Sequence, residues 1–196
     1  MLTSITPLGE RGKGNRWSVT ATAYVLGSLV GGALLGLLGG ALGLVVSRRV
    51  DGRVALAALA VACVGAALVD LTGRRLPSWH RQVDEQWLQA YRGWVYGAGF
   101  GLQLGSGVVT IITSASTHVV VLATVLAGSV PGGVAIGATF GLVRGLAILS
   151  VRSVDRPEQL SQFHRSMVGR ARTVQGLTVG SLLAGGVLLA VAGVGA

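Results

Sequence analysis

Two features of this sequence could do chemistry inside an apolar chain. Thr110, Thr113, Ser114, Ser116, Thr117 and His118 cluster at the centre of the run Trp94 to Val130, which has no Lys, Arg, Asp or Glu. Hydroxyls and an imidazole in such a run either satisfy freed backbone groups or meet a ligand. The second feature is Arg144, inside the apolar stretch Gly132 to Val151. A guanidinium at the centre of a membrane crossing costs about 2.5–3.5 kcal/mol on insertion scales, so something must compensate it. Gln103 lies before the hydroxyl cluster, and Thr6 with Pro7 ends a related N-terminal motif. The expected binding set is Arg144, His118, Thr113, Ser114, Thr117, Gln103, Thr6 and Pro7, and its expected ligand is a small anion. Each member also has a plainer reading. Arg144 would sit in a buried ion pair, His118 on a backbone carbonyl, and Gln103 and the hydroxyls in helix–helix hydrogen bonds.

The elements that would position these groups follow from hydropathy. Trp94 to Val130 is too long for one straight crossing of a roughly 30 Å hydrocarbon layer at about 1.5 Å per residue. It is read as one broken helix whose arms meet at TSASTH. Non-helical backbone at that depth is tolerated where protein or a cavity surrounds it, and broken helices of this kind form solute sites in transporters. Trp17 to Val46 is the first crossing, with Gly32, Gly36 and Gly40 on one face for close helix contact. Val54 to Leu71 is the second. Gly132 to Val151 carries a further stripe, Gly133, Gly137, Gly141 and Gly145, and Thr173 to Val194 is the last crossing. Pro77 to Gly93, with Trp79, Val83, Trp87, Tyr91 and Trp94 at helical spacing, predicts an amphipathic interfacial helix. A second amphipathic helix is expected from Pro157 within the basic connection Arg152 to Arg172.

Charge sets the expected topology. Counting Trp94 to Val130 as one crossing puts twelve basic residues in the connections on one side and three on the other, whereas two crossings give seven against eight. The positive-inside bias favours the first count. The expectation is an all-α integral membrane protein with about five crossings, N-terminus in the cytoplasm of a bacterial plasma membrane. TSITP (Thr3 to Pro7) resembles TSAST (Thr113 to Thr117), and each precedes a Gly-rich crossing, a charged connection and a short apolar helix. Halves 1–71 and 94–196 thus read as an inverted repeat within one membrane domain, 1–196, joined by the helix at 77–93.

Composition narrows the class. The 196 residues are 51% hydrophobic and 12% charged, with 32 glycines and mean hydropathy +0.68. A soluble domain carries about 25% charged residues. Net charge is +9, spread through the connections, so the basic balance points to anionic lipid and not to nucleic acid. Cys63 is the one cysteine, which rules out an internal disulfide and a thiolate cage. The N-terminus does not read as a secretory signal. The Gly9–Gly14 segment lacks the spacing of a phosphate loop. There is no acid pair, metal cluster or nucleophile set, so no enzyme, metal or cofactor is expected. A haem between two of His80, His118 and His164 is a third, lesser reading.

FGLQLGSGVVTIITSAS, the following helix, FGLVRGLAIL, the basic connection and the terminal helix together resemble the second half of the CcdA family, which includes the membrane domain of DsbD, in the wider LysE-like transporter group. That resemblance implies a broken-helix transporter fold. It also implies a cysteine relay, which this chain lacks: Ser114 to Thr117, and Thr6 with Pro7, stand where the family's proline–cysteine elements would be. The expected function is a small secondary transporter or exporter for an anionic solute. The alternative is a non-transporting subunit of this family that holds a redox or envelope partner. Expected partners are the lipid bilayer, the solute or ion, and a second copy or membrane partner protein.

Overall fold

The computed structural model describes residues 5–72, 90–107 and 114–195. Every regular element among them is helical. The helices are α1 (Pro7–Gly12), α2 (Trp17–Val46), α3 (Gly52–Thr72), α4 (Gly93–Ser106), α5 (Ser116–Leu126), α6 (Val130–Leu146) with a 3-10 continuation Ala147–Val151, and α7 (Pro157–Gly195). Four spans are long and apolar enough to cross a membrane: Trp17–Val46, Gly52–Thr72, Val130–Val151 and Pro157–Gly195. The protein is a multi-pass membrane protein whose helices face lipid with exposed Leu and Val, such as Leu38, Val61 and Leu188.

The core is built on glycine, as the spacing predicts. α2 is packed on two faces. Along one, Gly32, Gly36 and Gly40 meet Gly141, Gly133 and Val130 of α6 in antiparallel order. A Cβ at Gly36 or Gly137 would fall inside the opposite helix's carbonyl oxygen, so the two backbones touch. Ser28 Oγ donates to Gly141 O at 2.7 Å across the same contact. Along the other face Gly27 and Gly31 meet Ala98 and Leu102, while Gly101 and Gly105 of α4 press on Tyr24 and Ser28. The Gly27–Gly31 spacing marks this face of α2 in the sequence, whereas the α4 glycines Gly101 and Gly105 are not among the expected stripes. α4 runs parallel to α2, and α5 continues in the same direction, with Thr124 against Gly39 and Val125 against Gly43.

A second layer is the antiparallel pair α3 and α7. Gly186 packs on Ala60 and Cys63, and Gly193 on Leu56. Ala66 and Ala67 of α3 and Val179 and Leu182 of α7 share a small core with Ala115, so α5 is the seam between the layers.

Two expected boundaries differ. The basic connection from Pro157 and the last crossing are one continuous helix, α7, of 39 residues. Pro157 starts it, and between there and Gly195 no proline interrupts it; Gly169 and Gly176 meet nothing, so they impose no bend. The crossing at Gly132 to Val151 tightens to 3-10 geometry after Leu146. The interfacial helix expected at 77–93 lies outside the described residues except at its end, where Gly93 opens α4.

Candidate functional site

The helix is interrupted within Trp94 to Val130, and the cause is local. α4 ends at Ser106, and Gly107 follows with φ +67°, a left-handed conformation that glycine adopts without Cβ strain. α5 begins at Ser116. Neither arm alone spans a bilayer: 14 and 11 residues give roughly 21 and 16 Å at about 1.5 Å per residue.

The free N–H groups at the start of α5 need an acceptor, and the residue in the N-cap position is Ala115, which has none. Asp70, near the end of α3, supplies it from the other layer. Its Oδ1 accepts from Ala115 N at 2.8 Å and its Oδ2 from Ser114 Oγ at 2.6 Å. Ser114 and Ser116 hydroxyls are 2.8 Å apart, and Ser116 N donates to Ser114 Oγ at 3.2 Å. Gln175 Nε2 of α7 donates to Asp70 O at 2.6 Å, so both helices of the second layer are tied to the break. A carboxylate at a helix N-terminus is favourable twice over, by hydrogen bonding and by the helix dipole. Asp70 is not among the expected binding residues. The contact spans 44 residues, which no local pattern reveals.

Arg144 is half-buried. It lies in the last turn of α6, not at the centre of the helix, and its Cζ stands 5.2 Å from the centroid of the Phe140 ring one turn earlier. The same ring reaches the end of α4: a Cβ at Gly107 would be 3.2 Å from Phe140 Cε1 and 3.2 Å from Thr117 Cγ2. Phe140 thus neighbours both the Arg144 guanidinium and the end of α4. Beyond Arg144, Ile148 joins Ile5 and Tyr24 in a buried cluster.

The remaining expected residues divide. Thr117 is buried beside Gly107. Gln103 is half-buried one turn before Gly107, and its carbonyl accepts from Ser106 Oγ at 2.9 Å. His118 is exposed on the outer face of α5, away from Thr117. Thr6 and Pro7 are buried, but at α1: Thr6 Oγ1 caps that helix by accepting from Gly9 N at 3.1 Å, and Pro7 takes its first position. Thr110 and Thr113 lie outside the described residues. No cluster of three or more His, Cys, Asp or Glu occurs among the described residues.

A further polar site was missed from the sequence. Glu10 of α1 is fully buried. Its Oε2 accepts from Thr20 Oγ1 of α2 at 2.7 Å, and its Oε1 accepts from the Tyr96 hydroxyl of α4. Asn15 Nδ2 donates to Tyr96 Oη at 3.4 Å, and Lys13 Nζ lies 5.2 Å from the Tyr96 ring centroid. The available signal was an acid in the first turn of a helix opened by Thr6 and Pro7.

The fold and site define a multi-pass helical membrane protein with a carboxylate-capped break. Two curated proteins are similar to it over most of its length. The chain is 35% identical over 153 residues to methylamine utilization protein MauF of Paracoccus versutus, covering 74% of this chain and 56% of that protein. It is 30% identical over 161 residues to MauF of Paracoccus denitrificans, covering 79% and 58%. The chain thus spans a little over half the length of these relatives. No family model matches, and no solved structure matches.

These relatives overturn the resemblance to the CcdA and LysE-like groups and point to a MauF-like family instead. The physical reason is visible in the packing. Gly101, Gly105, Gly141 and Gly145, in the segments FGLQLGSG and FGLVRGLAIL that carried the resemblance, pack against α2. Close helix contact demands small residues in many unrelated membrane folds.

Proposed function

We propose that this protein is a small membrane carrier for a carboxylate-like anion, acting as an accessory component of bacterial amine utilisation. The observation that carries the reading is Asp70 itself. A carboxylate from α3 occupies two donors, Ser114 Oγ and Ala115 N, at the start of a half-helix. Those donors and the positive helix end suit a small external anion equally well. In this reading Asp70 is the internal occupant of the site, and a solute carboxylate takes its place when the α3–α7 layer moves off the break. Arg144, beside Phe140, supplies the positive charge that favours the anion.

The architecture supports the reading. α2 and α6 are antiparallel, as are α3 and α7, and the motifs TSITP and TSAST precede α1 and α5. This is the pairing an inverted repeat generates, with halves 1–71 and 94–196. Taking α4 and α5 as one broken crossing gives five crossings, N-terminus cytoplasmic and C-terminus outside, in a bacterial plasma membrane. The link to amine utilisation rests on the names of the relatives.

The test is solute flux. The full chain in proteoliposomes should take up radiolabelled acetate saturably. Arg144→Ala should slow uptake about ten- to hundredfold, the equivalent of one charge-assisted hydrogen bond. Equal flux in the variant removes Arg144 from the mechanism. No acetate flux with saturable methylammonium flux reverses the sign of the solute.

A second reading has one observation in its favour. Residues 165–172 of α7 are exposed, with Arg165, Arg170 and Arg172 beside Met167 and Val168. Such a face suits a partner protein of the same pathway. Stoichiometric co-purification of one partner, with no solute flux, would favour it over the carrier.

A further inference from the structure

The end of the bundle remote from Glu10 holds a groove that neither reading uses. It runs along the outer side of the α3–α7 contact, with a cavity volume of about 470 Å³. Small residues, Ala57, Ala60, Ala190 and Gly193, form its floor, and Val61 and Val194 its rims. Arg53 stands at its mouth, in the first turn of α3. Among the described residues Arg53 makes no ion pair. Arg48 and Arg49 lie in the adjoining turn, where Asp51 is the one acid.

We propose that this groove is a binding site for one anionic phospholipid, with an acyl chain along Ala57 and Ala60 and the phosphate at Arg53. Three observations point to that occupant. Both helices forming the groove are membrane-spanning candidates, so the medium around it is lipid. The lining is apolar, and its volume lies in the range of about 300–1,000 Å³ of small-molecule pockets, room for part of one acyl chain with the rest in the bilayer. The only charged group on the lining is a cation at one end, next to two more arginines, which is the charge order of a phospholipid and not of a neutral chain. Basic residues beside a membrane surface attract anionic headgroups, and an arginine fork matches phosphate oxygens. The site is independent of the carrier reading.

The experiment uses the full chain, delipidated in a neutral detergent, with phosphatidylglycerol and phosphatidylcholine of identical acyl chains as probes. Retained lipid is counted by native mass spectrometry, and melting temperature is followed against lipid concentration. Phosphatidylglycerol should bind at one site about fivefold or more tightly than phosphatidylcholine. Arg53→Gln should abolish the preference while leaving the lipid-free melting temperature unchanged. Gly193→Leu, which fills the groove floor, should remove retention of both lipids. Equal binding of the two lipids, a preference that survives Arg53→Gln, or a dimer that buries the groove in place of lipid each overturns the proposal. If Arg53→Gln fails to fold, Arg53→Lys keeps the charge and must retain the preference.

Discussion

Asp70 Oδ2 and Ser114 Oγ are 2.6 Å apart, and that contact joins the two layers of the molecule at the start of α5. Asp70→Ala should therefore cost stability as well as change function. It leaves Ala115 N and the Ser114 hydroxyl without their acceptor, an expected loss of about 1–3 kcal/mol. Asp70→Asn keeps one acceptor oxygen and should lose less. Thermal unfolding in detergent of the three proteins checks the order, and an Ala variant as stable as wild type would show that the cap carries no weight.

Glycine positions should split by contact, not by helix. Gly36→Ala puts a methyl into the Gly133 carbonyl on α6, and the helices must separate to admit it. Gly180→Ala, on α7, meets nothing within 4 Å. The first should be strongly destabilising, and the second neutral or stabilising by about 0.4–1 kcal/mol through lower chain entropy. Melting temperatures of the pair decide it; equal effects would contradict the backbone contact.

Glu10 joins α1 to two separate helices through Thr20 and Tyr96. Glu10→Ala should cost about 1–3 kcal/mol, because it strands two buried hydroxyls. Tyr96→Phe in the same background should then add little. A double-mutant cycle measures the coupling, and strict additivity would show that the hydrogen bond is energetically silent.

The topology is open to chemical labelling. Cys63 is buried, so Lys13→Cys and Arg49→Cys can be read against a low background. A membrane-impermeant maleimide should reach position 49 from outside intact cells and position 13 only after permeabilisation. Labelling of both from the same side would contradict a single crossing by α2.

Much of this was legible in the sequence where the signal was local and periodic. The bounds of α2, Trp17 and Val46, follow from an apolar run closed by Arg16 and by Ser47 with Arg48. The glycine stripes of α2 and α6 announced a contact because spacing of four places them on one helical face. The break was legible because hydroxyls and glycine interrupt a run too long for one crossing. What stayed hidden was the chemistry brought together by tertiary contact. Asp70 meets Ser114 across 44 residues, and Tyr96 meets Glu10 across 86. Arg144 stays within the span Val130–Val151, in the last α-helical turn before the 3-10 segment, a change of geometry that the apolar run does not announce. The family resemblance failed for a related reason: glycine spacing encodes contact distance, which many folds share.

The account stands or falls on Asp70 as the solute's stand-in, and the affinity for acetate in proteoliposomes tests that most directly. Removing the internal competitor's charge by Asp70→Asn should lower the KM for acetate below the wild-type value, with Arg144→Ala shifting it the opposite way. A KM that rises, or transport that disappears for acetate and methylammonium alike, would make Asp70 a simple structural cap or a cation ligand and would end the case for an anion site at the break.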